Sequence, residues 1–230
     1  MKKIYFIFFI NFFLYSEEIL YQEIQYNNFL IKCYSTSKIL VDKIYNKKNE
    51  YFFIAGNKDS NFSLLIELPY IKGSLVKISS NYNFYFELYY DDKKNNLVLN
   101  NLLGDFNIEI FNSILNLCIK KRGIDIVSGF SSYNFISYTD NLFYIYLKEG
   151  RVQFIKKKNI TIIISEESFA FIDGKNYVSR FNDPLTAKNI LVNNLYSNLD
   201  KIEDSRYFSN LEKKFINSII YNKIFIDNNF

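Results

Sequence analysis

Short runs of apolar, aromatic and β-branched residues recur along most of this chain, and sequences rich in Gly, Asn, Asp, Lys or Glu interrupt them. Residues 142–180 show the pattern most clearly, as four or five such runs. These residue types suit a pleated, half-buried surface. Interruptions about every seven to twelve residues are typical of an antiparallel sandwich or barrel. We therefore predict a mainly β fold, an antiparallel β-sandwich or roll of short strands.

Four turn sequences divide residues 142–180 into the predicted strands. Glu149-Gly150 and Asp173-Gly174 predict hairpins, because glycine accommodates the positive φ that a tight turn requires. Lys156–Asn159 and Ser165–Glu167 are the other two interruptions.

Alternation of apolar and outward positions identifies further strands. After Glu149-Gly150, the apolar Val152 and Phe154 alternate with the outward Arg151 and Gln153. The same period of two predicts strands at 74–78, 82–90 and 106–110, and apolar runs between turns predict others at 51–54, 62–68, 97–99 and 114–119.

Three stretches are less regular. Gly104-Asp105 predicts a turn between two strands, and the polar residues 17–25 suggest a mobile lead-in. Residues 31–34 and 39–45 are compatible with two strands or with one helix, and the pattern does not decide between them.

The periodicity changes to about 3.6 residues after Asp183-Pro184, which is a typical helix entry. It predicts helices at about 185–201 and 205–224, placed to cover an edge of the sheet or to dock a partner. The predicted organisation is a signal peptide (1–16), a mixed N-terminal strand region (17–72), a β-domain (73–181) and a helical tail (182–230).

The first residues have the layout of a secretory signal peptide. Met1-Lys2-Lys3 is a basic start, and Ile4–Tyr15 is apolar except for one asparagine. Ser16 is the expected cleavage position, and about twelve apolar residues are too few to cross a bilayer comfortably. We predict export to the periplasm or cell envelope, with no integral transmembrane span beyond this segment. A retained short anchor and a buried N-terminal strand are the alternatives.

Composition adds few functional constraints. The aromatic fraction of 19% accompanies heavy use of Ile, Lys and Asn, which matches AT-rich codons rather than a function. A dispersed net charge of +4 does not indicate nucleic-acid binding. Cys33 and Cys118 are compatible with one disulfide in an exported protein, although we favour two buried free thiols. The oligomeric state is left open.

Candidate chemistry is sparse. The sequence contains no histidine, no CxxC pair, no phosphate-binding loop and no nucleophile elbow. We therefore predict no catalytic, metal or cofactor site. Asp91-Asp92 suits a metal, but a solvated turn is the favoured interpretation. Lys120–Arg122 suits an anionic surface, but a charged strand end is favoured.

Two segments resemble the FecR domain family. One is Arg122-Gly123-Ile124-Asp125-Ile126, like that family's Arg-Gly-Thr step before a strand. The other is 145–154, an apolar strand ending in a Glu-Gly-x-Val hairpin with Glu149, Gly150 and Val152. Ser165-Glu166 corresponds to the Gly-Glu step before the family's last strand. Ile124 and Ser165 depart from the usual threonine and glycine. The resemblance covers roughly 73–178.

The resemblance implies an all-β, non-enzymatic domain outside the cytoplasm that serves as a sensor or protein-interaction module. The chain shows neither the cytoplasmic N-terminal domain nor the full transmembrane helix of a FecR-type regulator. We therefore expect a free module that binds another envelope protein or a cell-wall component. The AT-rich composition and loose cleavage site resemble those of spirochaete envelope proteins. Alternatives are a surface-exposed structural or host-interacting protein and, third, a carboxylate-dependent hydrolase.

Overall fold

A computed structural model describes residues 20–46, 49–58, 60–68, 74–112, 114–172, 175–179, 184–197, 208–221 and 225. The strands in these residues are β1 (Leu20–Tyr26), β2 (Phe29–Ser35), β3 (Leu40–Asn46), β4 (Asn49–Gly56), β5 (Phe62–Glu67), β6 (Ser74–Ser80), β7 (Phe84–Asp91), β8 (Asn96–Ile110), β9 (Asn116–Lys121), β10 (Ile124–Thr139), β11 (Leu142–Lys156), β12 (Asn159–Ile164), β13 (Ser168–Ile172) and β14 (Lys175–Ser179). The helices are α1 (Pro184–Tyr196) and α2 (Asn210–Ile220).

These strands belong to one hydrogen-bonded sheet, which is antiparallel except where β8 pairs with β9. The sheet doubles over because the long strands β8, β10 and β11 pair with different neighbours along their two halves. Strand β11, for example, pairs with β13 over Leu142–Tyr146 and with β12 over Arg151–Lys156. The first layer contains β3, β4, β7, β9, β12 and one half of each long strand. The second contains β1, β2, β5, β6, β13, β14 and the other halves.

The main core lies between these two layers and is rich in aromatic rings. Phe154 of the first layer stacks on Phe169 of the second, with ring centroids 3.8 Å apart. Phe84 and Phe62 stack in the same way at 4.4 Å. Offset or tilted pairs of this kind add to the free energy of burying each ring. Alternating inward residues of strands such as β2, β5 and β10 supply this core, as the sequence pattern predicted.

The helices cover the outer face of the second layer and the adjoining part of the first, where Ala55, Tyr85 and Leu103 join the same cluster. Leu191 and Leu195 of α1 and Phe215 and Ile216 of α2 are buried in a second apolar cluster, against strand residues such as Tyr144. The predicted helical segment near the C-terminus is confirmed, and it packs on a sheet face rather than on an edge. On the outer face of the first layer, the small cluster of Tyr89, Val98 and Cys118 includes no described helix residue.

Helix α2 begins at a capping box. The Ser209 hydroxyl accepts a hydrogen bond from the Glu212 backbone N–H at 3.2 Å, and the Glu212 carboxylate accepts one from the Ser209 N–H at 2.7 Å. The same carboxylate accepts a hydrogen bond from the backbone N–H of Asp140 at 2.9 Å. Because these contacts satisfy free donors of the first turn, the helix begins later than the predicted residue 205.

The mainly β prediction is confirmed, but two predicted turns are wrong. Glu149-Gly150 does not form a hairpin, because β11 runs through it without reversing. Gly104-Asp105 likewise lies inside the continuous β8. Both glycines have positive φ, +93° at Gly150 and +134° at Gly104. A glycine between two apolar runs therefore marks a bend here rather than a reversal, since the chain passes from one layer to the other.

The N-terminal region is more regular than expected. The polar residues of 20–26 form β1, paired along its length with β2, so they are not a mobile lead-in. The ambiguous stretches 31–34 and 39–45 lie in strands β2 and β3. The predicted signal peptide lies outside the described residues. Asp173-Gly174 also lies outside them, and the flanking Ile172 and Lys175 are paired.

Both cysteines are buried free thiols, as we favoured. Cys33 lies in the main core, whereas Cys118 lies in a small cluster with Tyr89 and Val98. Burial raises the pKa of the Cys33 thiol to about 12 and that of Cys118 to about 11. A thiol at such a pKa is neutral near pH 7 and poorly reactive.

Two glycines offer a matched test of these bends. A Cβ at position 150 would lie 2.4 Å from the Phe130 backbone oxygen, whereas a Cβ at Gly123, φ +69°, meets nothing within 4 Å. Gly150→Ala should lower the free energy of unfolding by about 3 kcal/mol or more, because it adds a backbone clash to φ strain. Gly123→Ala should cost only about 1 kcal/mol.

Urea unfolding followed by circular dichroism measures both variants against the unmodified chain. Equal destabilisation by the two substitutions would contradict the close approach of β10 to Gly150.

Candidate functional site

The Glu-Gly and Ser-Glu sequence motifs meet where β11 bends. The Gly150 N–H donates a hydrogen bond to the Ser165 hydroxyl at 3.0 Å. The Glu166 N–H donates to the Leu147 carbonyl at 2.8 Å, and Glu166 itself has φ +70°. Glu149 is exposed next to this joint. These residues fix the path of the chain between the layers.

The other motif residues lie elsewhere. Arg122 and Gly123 form the exposed two-residue turn between β9 and β10, where Lys121 pairs with Ile124. Val152 is buried in the main core and pairs with Ser128. The six predicted motif residues are therefore distributed over a turn, a bend and the core, and the structure does not bring them into one site.

A cavity lies beside a bulge next to Gly150. Ser128 pairs with Val152 and Ser131 with Gly150, so Gly129 and Phe130 of β10 stand opposite Arg151 alone. An extra residue of this kind bends a strand and redirects its side chains. Phe130 is consequently 53% exposed although it sits in the middle of a strand.

We call this cavity the bend cleft. It has a volume of about 340 Å³ and is lined by Asn116, Val127, Gly129, Phe130, Arg151 and Gln153. It lies on the outer face of the first layer, and none of the residues that line it belongs to a helix. The volume falls at the lower end of the usual range for binding pockets.

The polar side chains of the bend cleft have no partners within the described part of the chain. Arg151, Gln153 and Asn116 make no side-chain hydrogen bond there, and Arg151 forms no ion pair there. The Phe130 ring makes no contact with another aromatic ring in the same residues. An uncommitted guanidinium beside an exposed aromatic ring and two amides is a typical recognition surface for a polypeptide.

A smaller cavity lies beneath the helices. Its volume is about 140 Å³, and its lining includes Tyr82, Asp105, Tyr138 and Lys188. The Lys188 ammonium lies 3.0 Å from the Asp105 carboxylate and 3.4 Å from the centre of the Tyr82 ring. Burial raises the pKa of Tyr138, whose hydroxyl has no hydrogen-bond partner among the described residues. These contacts attach α1 to β8, so we assign this cavity to helix docking.

Lys121 is buried, although its basic neighbours suggested a charged strand end. Its side chain has no exposed surface, and its ammonium donates to the Leu102 carbonyl at 2.5 Å. Asp140 lies 3.4 Å away. Burial lowers the pKa of Lys121 to about 8, and the nearby Asp140 and Glu212 oppose that shift.

Comparisons with known proteins were made at three levels. No family model matches the chain. No curated protein matches it either. Two crystal structures of a "putative anti-sigma factor" from Parabacteroides distasonis resemble it in fold, both at 14% identity and with TM-scores of 0.44 and 0.43. The alignments cover 56% and 55% of this chain and 59% and 58% of those chains. Similarity at this level does not identify a function.

Two further searches concern the described residues alone. They contain no helix with the length and apolar character needed to cross a bilayer. They also contain no group of three or more histidine, cysteine, aspartate or glutamate residues arranged to hold a metal ion.

The sequence predicted the direction of two side chains of the bend cleft but no site there. Arg151 and Gln153 were expected to point outward, and they do. Phe130 was missed, because an aromatic residue inside a strand is ordinarily buried. The available indication was Gly129, since a glycine inside a strand often marks a bulge.

The buried ammonium of Lys121 predicts an unusual pH dependence. The folded state loses the proton near pH 8, whereas the unfolded state keeps it until about 10.5. Stability from this group therefore rises as pH increases between those values, because the unfolded state binds more protons. From pH 7 to 9.5, the unmodified chain should gain on the order of 2 kcal/mol relative to Lys121→Met.

Urea unfolding at the two pH values measures this difference. Lys120→Met is the control, because a hydrogen bond with Tyr89 raises the pKa of Lys120 and its titration lies above this window. Parallel pH profiles of the unmodified chain and Lys121→Met would contradict the assignment.

Proposed function

We propose that this chain is an exported, FecR-like, non-enzymatic module that binds another protein of the cell envelope through the bend cleft. The observation that carries the proposal is the bulge at Gly129 and Phe130, which presents an exposed aromatic ring beside three polar side chains that have no hydrogen-bond partner among the described residues. The FecR resemblance supports the same role, since that family's extracytoplasmic domains bind proteins.

The chemistry of the cleft indicates the class of ligand. Arg151 suits a carboxylate, which can accept two parallel hydrogen bonds from a guanidinium. Phe130 suits an apolar side chain, and arginine and aromatic residues dominate the binding energy of many interfaces. The amides of Gln153 and Asn116 can pair with backbone groups. An extended polypeptide segment with an acidic residue next to an apolar one fits these groups.

The bend cleft can be tested with a photo-crosslinking phenylalanine analogue at position 130, installed in cells. We expect one envelope protein to be captured at a defined mass. Adding Arg151→Ala should reduce its yield roughly tenfold, because interface arginines of this kind contribute more than 1 kcal/mol. Arg122→Ala is the matched control, since Arg122 is an exposed arginine of the same layer outside the cleft.

Equal reduction by Arg151→Ala and Arg122→Ala would contradict recognition by the cleft. Sedimentation of the purified chain with cell-wall sacculi, lost on Phe130→Ala, would instead assign the cleft to a cell-wall ligand.

Export is tested by fractionating cells and measuring the mass of the mature protein. Cleavage after Ser16 should leave a chain that begins at Glu17 in the periplasmic or envelope fraction. An intact Met1 in the cytosol would remove the basis for an envelope partner.

A further inference from the structure

Strand β12 is an exposed apolar edge of the first layer. It pairs with β11 and with no other described strand. Three of its isoleucines point outward, with 60% of Ile160, 42% of Ile162 and 57% of Ile164 exposed. Native proteins usually protect edges of this kind, because an unpaired apolar edge is a template for another strand.

The backbone of β12 presents free pairing groups at this edge. Lys156 and Asn159 close the two-residue hairpin between β11 and β12. A closing pair of this kind is hydrogen-bonded, and the two pair types then alternate. The N–H and C=O groups of Ile160, Ile162 and Ile164 therefore point away from β11.

Contacts at one end of β12 agree with this direction. The Ile164 N–H donates to the Glu167 carboxylate at 3.0 Å, and the Ile164 carbonyl accepts from the Glu167 N–H, also at 3.0 Å. Glu167 thus occupies the backbone N–H and C=O of Ile164 that would otherwise be free to pair with another strand. The edge that remains for a partner centres on Ile162.

The sequence around β12 is complementary to itself when reversed. Residues 157–167 read KKNITIIISEE, with two lysines before the isoleucines and two glutamates after them. In an antiparallel pair of two such strands with Ile162 facing Ile162, the basic hairpin turn of one copy (Lys157, Lys158) lies beside the acidic turn of the other (Glu166, Glu167). Ile160 faces Ile164 at both ends. Opposite charges and apolar residues that face each other across a strand pair are stabilising.

We propose that two copies of this chain associate through antiparallel pairing of β12 about a two-fold axis at Ile162. The occupant of the edge is a second copy, because the basic start and the acidic end of residues 157–167 are complementary to each other when two copies lie antiparallel. A two-fold interface uses the same patch on both subunits. The proposal does not depend on the envelope function proposed above.

This pairing joins the first layers of two copies into one sheet, with both outer faces on the same side. Arg151 pairs with Ile164 on β11, so each bend cleft lies one strand behind the edge. Strand spacing and rise place the two Arg151 residues about 20 Å apart. A dimer would therefore present two bend clefts to one partner surface, which strengthens binding through avidity.

Charge reversal tests the pairing by sedimentation equilibrium over a concentration series. The unmodified chain should dimerise. Lys158→Glu alone and Glu166→Lys alone should each weaken the dimer about fivefold or more, because two attractive pairs become repulsive. An equimolar mixture of the two variants should recover heterodimers, since acidic ends then face basic ends. The double variant should also recover the dimer.

Disulfide trapping tests the register. Ile162→Cys should form a covalent dimer under mild oxidation, because position 162 faces itself. Ile160→Cys is the matched control. The two copies of position 160 lie four residues apart along the paired strands, about 13 Å away from each other and beyond disulfide reach. The native thiols are buried and should not interfere. Thermal melts check that each variant remains folded.

A chain that stays monomeric at every concentration would overturn the proposal. So would a failure of the mixed variants to associate more tightly than either alone. Equally efficient trapping at positions 160 and 162 would overturn the two-fold register.

Discussion

The close approach of β10 to Gly150 is the constraint on which the described structure depends. At this point β11 leaves one layer and enters the other, and the backbone of Phe130 occupies the space that a side chain at position 150 would need. The hydrogen bond from Gly150 to Ser165 ties the bend to the following turn. Because the layers meet through such bends, the stacking of Phe154 on Phe169 and the rest of the aromatic core follow from them.

The same constraint connects the scaffold to the candidate function. The bend requires two residues of β10 opposite one of β11, and this bulge turns Phe130 outward beside Arg151. The helices bury the outer face of the second layer and the adjoining part of the first, whereas the first-layer cluster of Tyr89, Val98 and Cys118 includes no described helix residue. The bend cleft and the apolar β12 edge therefore share one accessible face. On that face, a recognition site and a self-association edge can operate together.

Charged groups inside the fold need polar partners to offset the loss of hydration on burial. Lys121 keeps its ammonium under burial only because the Leu102 carbonyl and Asp140 solvate it. The Glu212 carboxylate both caps α2 and accepts the Asp140 N–H, so the helix and the end of β10 share one charged cluster. Docking of the C-terminal helices is therefore electrostatically coupled to the sheet they cover.

The sequence by itself determined the strand content, the alternating core and the C-terminal helices, because periods of two and 3.6 residues record which side of each element is buried. It also exposed the charge order around β12. Only the tertiary structure decided that Gly104 and Gly150 bend continuous strands, because a positive φ suits a hairpin and a bend equally well. Only tertiary pairing placed Phe130 beside Arg151 and buried Lys121, since those positions depend on neighbours distant in the chain.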